Sequence, residues 1–298
     1  MNPALEVSIA EHLDTERARV DGELERILPA EDEPPASIHR ALRYSVFAGG
    51  KRLRPILCLE VGRLFGAAGD SLLRIAASLE LVHTYSLIHD DLPALDNDDL
   101  RRGKPSSHRV FGEALAILAG DALLTLAFEA VSQPGLVPSG RQLRLVHELA
   151  HAVGTRGGMV GGQVVDLETT GSTAAGNVLE SIHAAKTGAL IRASARCGAI
   201  AAGASEDGLA CVSAYGEKVG LAFQIADDLL DVLGSREAVG KAVGKDGDKA
   251  TYPALYGVEV SQRMAERLVA EACGALAGYG ERAQRLREIA HFLIARQS

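Results

Sequence analysis

Apolar residues recur along this chain at helical spacing, and no sustained strand-like alternation stands out anywhere. Leu5, Ile9, Leu13, Val20, Leu24 and Leu28 predict a first helix within residues 1–29, broken by the proline-rich run from Pro29 to Pro35. A second helix is predicted from near Ser37 to Ala48, ended by Gly49-Gly50. Pro55 is well placed in the first turn of a third, which continues through Ile56 to Val61. After a turn at Gly66–Gly69 comes a long helix from Leu72 to Asp91, almost uncharged after Arg74. Further helices are predicted over Val110–Val131, Arg141–Leu167, from Val178, over Cys211–Val232, and across residues 253–296. Gly171–Gly176 reads as a linker and Gly234–Gly247 as a glycine-rich loop. The expected fold class is all-α.

Composition supports that reading. Of 298 residues, 47% are hydrophobic and only 4% aromatic, with no Trp, so the core is built from small and aliphatic side chains with good helix propensity. The formal charge of -8 argues against a nucleic-acid partner, which calls for a basic face. Cys58, Cys197, Cys211 and Cys273 are far apart and form no metal-type pairs, so a reduced, cytoplasmic setting is expected. The first sixteen residues, Met1–Glu16, are acidic and lack a basic-then-apolar signal pattern. No membrane span is expected, because the most apolar segment, Val110–Val131, carries Glu113, Asp121 and Glu129.

The chemistry concentrates in two acidic clusters, each ending an apolar run. The first is Asp90-Asp91-Leu92-Pro93-Ala94-Leu95-Asp96; the second is Asp227-Asp228-Leu229-Leu230-Asp231. One such run alone reads as a solvated loop, and a second one shifts the balance. Crowded carboxylates repel and need a compensating cation. Their oxygen donors suit a hard ion such as Mg²⁺, which recruits substrate phosphates. Asp227 and Asp231 share a helix face, with Gln224 one turn earlier. Asp90 and Asp96 would diverge on a straight helix, so Pro93 is expected to end it and a bulge to swing Asp96 back.

Basic groups accompany both clusters. Arg101 and Arg102 follow the first, and a guanidinium fork matches phosphate oxygens. Lys51 and Arg54 flank a helix N-terminus that already favours an anion. His83 lies close to the face of Asp90, and Gln163 shares a face with Asp166. Lys186-Thr187-Gly188 sets a mid-helix cation beside a hydroxyl and a glycine, and Lys241, Lys245 and Lys249 stud the glycine-rich loop, which reads as a lid over phosphates.

Taken together and in this order, these motifs resemble the trans-isoprenyl diphosphate synthase (polyprenyl synthetase) family, most of all its bacterial farnesyl diphosphate synthases. The resemblance rests on Gly49-Gly50-Lys51-Arg52-Leu53-Arg54-Pro55, the two aspartate motifs, Arg101-Arg102-Gly103-Lys104-Pro105, Lys186-Thr187, Phe223-Gln224, and Gly244-Lys245-Asp246 with Lys249-Ala250-Thr251-Tyr252-Pro253. It implies an isoprenoid synthase fold, a single domain over residues 1–298 with about ten helices around a central apolar cavity, and a homodimer. It further implies about three Mg²⁺ ions per active site, held by Asp90, Asp96 and Asp227 with Asp91, Asp228 and Asp231 in support. By the same resemblance, Arg101 binds the allylic diphosphate, while Lys51, Arg54, His83 and Arg102 bind isopentenyl diphosphate. Lys186, Thr187, Gln224 and Lys241 line the place where the allylic cation forms. Tyr85 and Ser86 would set chain length, Tyr85 as a floor favouring a fifteen-carbon product.

Geranyl or geranylgeranyl diphosphate is the alternative product. A terpene cyclase would carry an Asn/Ser/Glu triad in place of Asp227–Asp231 and would lack Lys51 and Arg54. A phosphohydrolase would need a second histidine cluster beyond His89-Asp90, a calcium loop would need glycine where Arg101 stands, and a noncatalytic prenyl-diphosphate-binding subunit would not need these aspartates and basic residues.

Overall fold

A capping box starts the first helix: the Ser8 hydroxyl accepts the Glu11 N–H (3.3 Å) and the Glu11 carboxylate accepts the Ser8 N–H (3.0 Å). The computed structural model describes residues 8–169, 176–237 and 251–295. Their helices are α1 (Ile9–Ile27), α2 (Ala36–Val46), α3 (Leu53–Leu64), α4 (Asp70–Asp90), α5 (Ser107–Phe111), α6 (Glu113–Ser132), α7 (Ser139–Val153), α8 (Met159–Thr169), α9 (Gly176–His183), α10 (Ala189–Ala202), α11 (Glu206–Glu237), α12 (Tyr252–Tyr256), α13 (Val258–Ala275) and α14 (Gln284–Ile294).

The described residues divide into two compact units. The first runs to His147 and includes Ile200–Gly203; the second comprises Glu148–Ala199 and the residues from Ala204 onward. In the first unit α4 is the central element, buried along most of its length and packed against α3 and α6. An ion network ties α1 to α3: Arg63 pairs with Glu16 (2.8 Å) and with Glu60, and His12 Nε2 lies 2.9 Å from Glu60. In the second unit α11 packs along α13 and α14.

Several predicted helices are shorter or split. Val110–Val131 breaks at Gly112, whose left-handed φ of 83° ends α5 and begins α6. Arg141–Leu167 divides into α7 and α8 at the glycine run after Val153; a side chain at Gly154 or Gly158 would press on the carbonyls of Ala150 or His151. The helix expected from Val178 changes pitch, with a π-helical turn over Ala184–Gly188 between α9 and α10.

One strand pair was not legible in the pattern. Leu100–Arg101 (β1) and Lys104–Pro105 (β2) form an antiparallel hairpin. Its turn, Arg102-Gly103, has both residues at positive φ (54° and 76°), as a tight two-residue hairpin requires. Despite its acids, α6 is long and apolar enough to cross a membrane by length and composition alone; it packs on α4 and α2. Lys241, Lys245 and Lys249 lie outside the described residues.

Candidate active site

In the first unit, α4 stops at Asp90 and the chain folds back through a series of turns. The Asp96 N–H donates to the Asp90 carbonyl (2.8 Å) and the Asp98 N–H to the Asp91 carbonyl (3.1 Å). Pro93, exposed at the crest, cannot continue the helix. The result returns Asp96 to Asp90 despite their six-residue separation.

The neighbouring carboxylates differ in role. Asp91 is only 2% exposed and accepts from Arg101 through Nε (2.9 Å) and Nη2, while Asp98 lies 3.5 Å from the same guanidinium. Burial pushes the Asp91 carboxyl above the usual carboxylate range, and Arg101 pulls the other way. Asp90 and Asp96 are half-buried. Asp91 therefore anchors Arg101, and the flanking carboxylates are the better candidates for a hard metal ion. Their oxygen chemistry on one chain reversal fits such an ion.

The β-hairpin carries Arg102 to the Gly49 carbonyl, to which its Nη1 donates. Gly50 sits at φ 133°, a backbone conformation that side-chain-bearing residues rarely adopt, which gives a physical reason for glycine just before Lys51; a Cβ there would also meet the Arg102 guanidinium. Lys51 is exposed, whereas Arg54 is buried in the first turn of α3. His83 is half-buried, and its pKa falls well below 6.5, first by burial and then through Arg54, Arg102, Arg52 and Arg101. Four guanidinium groups bearing on one imidazole define a strongly positive locality suited to a polyanion.

Tyr85 is 7% exposed and packs edge-on against His89 (ring centroids 5.5 Å apart). Burial, with Asp90 and Asp121, pushes its phenol up to about 12. The His89 ring lies against α6 in the space left by Gly120, where a Cβ would meet it, and its Nε2 sits 3.0 Å from the Ile117 carbonyl. The Ser86 hydroxyl donates to the His83 carbonyl (2.8 Å).

In the second unit, Asp227, Asp228 and Asp231 lie on α11. Asp228 is the buried member: it accepts the Tyr252 N–H (3.0 Å) and Gln224 Nε2 (3.1 Å). Burial raises its carboxyl to about 6, the two hydrogen bonds lower it, and Asp231 and Asp227 add to the rise. Thr187 Oγ1 donates to Gln224 Oε1 (3.0 Å), so the π-helical turn and the acidic helix share one hydrogen-bonded chain. Lys186 Nζ meets Asp166 Oδ2 at 2.7 Å. Asp166 was not among the expected site residues; its place on the Gln163 face of α8 was the available signal. Gly162 lets α8 approach the Lys186 backbone closely.

The first unit thus gathers Asp90, Asp96, Arg101, Arg102, Arg54 and His83, and the second gathers Lys186, Thr187, Gln224 and Asp228 with Asp166. Metal-suited carboxylates beside phosphate-suited cations, on an all-α scaffold, define a diphosphate-handling enzyme. Comparison with known proteins agrees. The polyprenyl synthetase family profile matches residues 35–289. A dimethylallyltranstransferase of Fischerella ambigua is 46% identical over 97% of this chain and 84% of its own. A geranylgeranyl diphosphate synthase of Cyanophora paradoxa is 47% identical over 89% of each. Among solved structures, an FPP/GFPP synthase from Zymomonas mobilis superposes with a TM-score of 0.87 at 37% identity, covering 96% of this chain and 98% of that one. The chain belongs to the polyprenyl synthetase family, with its isoprenoid synthase fold, and is a trans-prenyl diphosphate synthase, a transferase of isoprenoid biosynthesis.

Proposed function

We propose that this enzyme condenses isopentenyl diphosphate with dimethylallyl and then geranyl diphosphate, releasing farnesyl diphosphate. The observation that carries the product length is Tyr85: a buried aromatic on α4, just over one turn before Asp90 and packed beside α6. A ring there would close the space available to a growing chain. The names of several relatives, geranylgeranyl diphosphate synthases at 45–48% identity, support a twenty-carbon product as the second reading.

In this proposal Asp90, Asp96 and Asp227 hold Mg²⁺, which when bound would stabilise negative charge on the allylic diphosphate. Arg101, fixed by Asp91, binds the same diphosphate. Lys186, braced by Asp166, and Thr187, braced by Gln224, face the ionising carbon and its leaving group, with Lys241 assisting. Lys51, Arg54, His83 and Arg102 bind isopentenyl diphosphate; an imidazole held neutral can hydrogen-bond without adding a repelled charge.

The allylic C–O bond breaks and its electron pair leaves on the diphosphate. The isopentenyl double bond then attacks the resulting cation, forming the new C–C bond. The departing diphosphate takes the proton lost from the adjacent carbon. Aliphatic helix faces keep water from the cation. The two units are read as one catalytic domain, supported by a family match that runs through both. A cytoplasmic homodimer completes the reading. The test is chromatography of dephosphorylated products: farnesol from dimethylallyl and isopentenyl diphosphates supports it, and geranylgeraniol as the main product favours the second reading.

A further inference from the structure

Between Lys51 and Arg54 the chain turns through Arg52, a bulky residue in the left-handed region (φ 51°, ψ 32°) at the N-cap of α3. Side chains other than glycine seldom occupy this region without a tertiary reason. Here the reason is visible. Arg52 Nε donates to Asp21 of α1 (2.7 Å), Nη1 to Glu80 of α4 (2.8 Å), and Nη2 to the Val46 carbonyl at the end of α2 (2.7 Å). The side chains of Arg52 and Glu80 are each 2% exposed. All three guanidinium nitrogens are thus engaged by partners on three different helices.

We propose that Arg52 is a positioning residue for the isopentenyl diphosphate site, resting on the function proposed above. Its planar fork fixes the turn from which Lys51 and Arg54 reach the diphosphate, and Glu80 and Asp21 partner its buried charge. That charge, partly offset by Glu80 and Asp21, still adds to the positive field that Arg54, Arg102 and Arg101 set up beside His83. Lysine cannot substitute fully, because an ammonium group lacks the three-directional fork.

Steady-state kinetics on the full-length enzyme test this. Removing Arg52 alone strands a buried Glu80, so the primary variant is Arg52→Met/Glu80→Leu, which removes both charges and keeps the volume apolar. The expected result is a KM for isopentenyl diphosphate raised about tenfold, with KM for dimethylallyl diphosphate within about twofold and kcat within about threefold. Arg52→Lys should fall between this variant and the parent. A folded double variant with both KM values unchanged, or both raised alike, would overturn the proposal. Should the double variant not fold, Asp21→Asn decides. Asp21 is 36% exposed, so its loss leaves no deeply buried charge. A rise of about threefold in the isopentenyl diphosphate KM alone is expected there, and no change would overturn the proposal. Direct titration with isopentenyl diphosphate separates this inference from the one it rests on. A parent enzyme that binds but never elongates would sink the synthase reading, while the Arg52 comparison is still read in Kd. A parent that does not bind would sink both.

Discussion

The backbone N–H of Asp96 donates to the backbone carbonyl of Asp90, a main-chain bond in the return that brings these two aspartates together. Side-chain changes at either position therefore leave the groups of this bond in place. Asp90→Ala should lower kcat by about 10²-fold or more, as loss of a stabiliser of developing charge does, with Tm unchanged or slightly raised by relief of like-charge crowding. Normal turnover with a depressed Tm would contradict this.

Tyr85 gives the prediction on product length. Tyr85→Ala should shift products beyond fifteen carbons and cost about 3 kcal/mol of stability, because a buried aromatic is cut back to a methyl group. Chromatography of the dephosphorylated prenols reads the first effect and denaturant unfolding the second. An unchanged product distribution would reject Tyr85 as the floor of the cavity.

Asp166 and Lys186 form a partly exposed pair (24% and 22%), so its contribution to stability should be small, about 0–1 kcal/mol. Its value lies in aim. Asp166→Asn should lower kcat by about tenfold while leaving KM for isopentenyl diphosphate within twofold. A change confined to that KM would place Lys186 in the other diphosphate site.

His183 predicts a pH dependence of stability. Burial lowers its pKa from 6.5 to about 4, against the ring of Tyr252 (centroids 5.5 Å apart). Between these values the unfolded chain binds a proton that the folded chain refuses. The stability from this site is therefore full above pH 6.5 and is lost as pH falls toward 4. Unfolding free energies measured across that range should fall by roughly 2–3 kcal/mol more in the parent than in His183→Asn, which has no proton to gain. Parallel curves would refute the assignment.

Much of this was legible in the sequence because it depends on local rules. Pro93, at the far end of a long apolar helix, cannot continue it, and the spacing of Asp227, Gln224 and Asp231 sets one face of α11 by geometry alone. The β1–β2 hairpin escaped because two-residue strands carry no readable alternation; only Arg102-Gly103, both at positive φ, betrays it. The π-helical turn under Lys186 depends on Gly162 and Gly220 admitting neighbouring backbone, a tertiary fact. Asp166 was seen as a face-mate of Gln163 but not as the partner of Lys186, twenty residues away. Arg52 was hidden for a similar reason: its partners Asp21, Val46 and Glu80 come from three separate helices.

One assay bears on everything above: incubation of the purified enzyme with Mg²⁺, isopentenyl diphosphate and dimethylallyl diphosphate, with and without EDTA, followed by dephosphorylation and chromatography. Chain growth to farnesol that disappears with the chelator is the predicted result. Phosphate release without chain growth, or hydrocarbon formed from the allylic substrate alone, would contradict it.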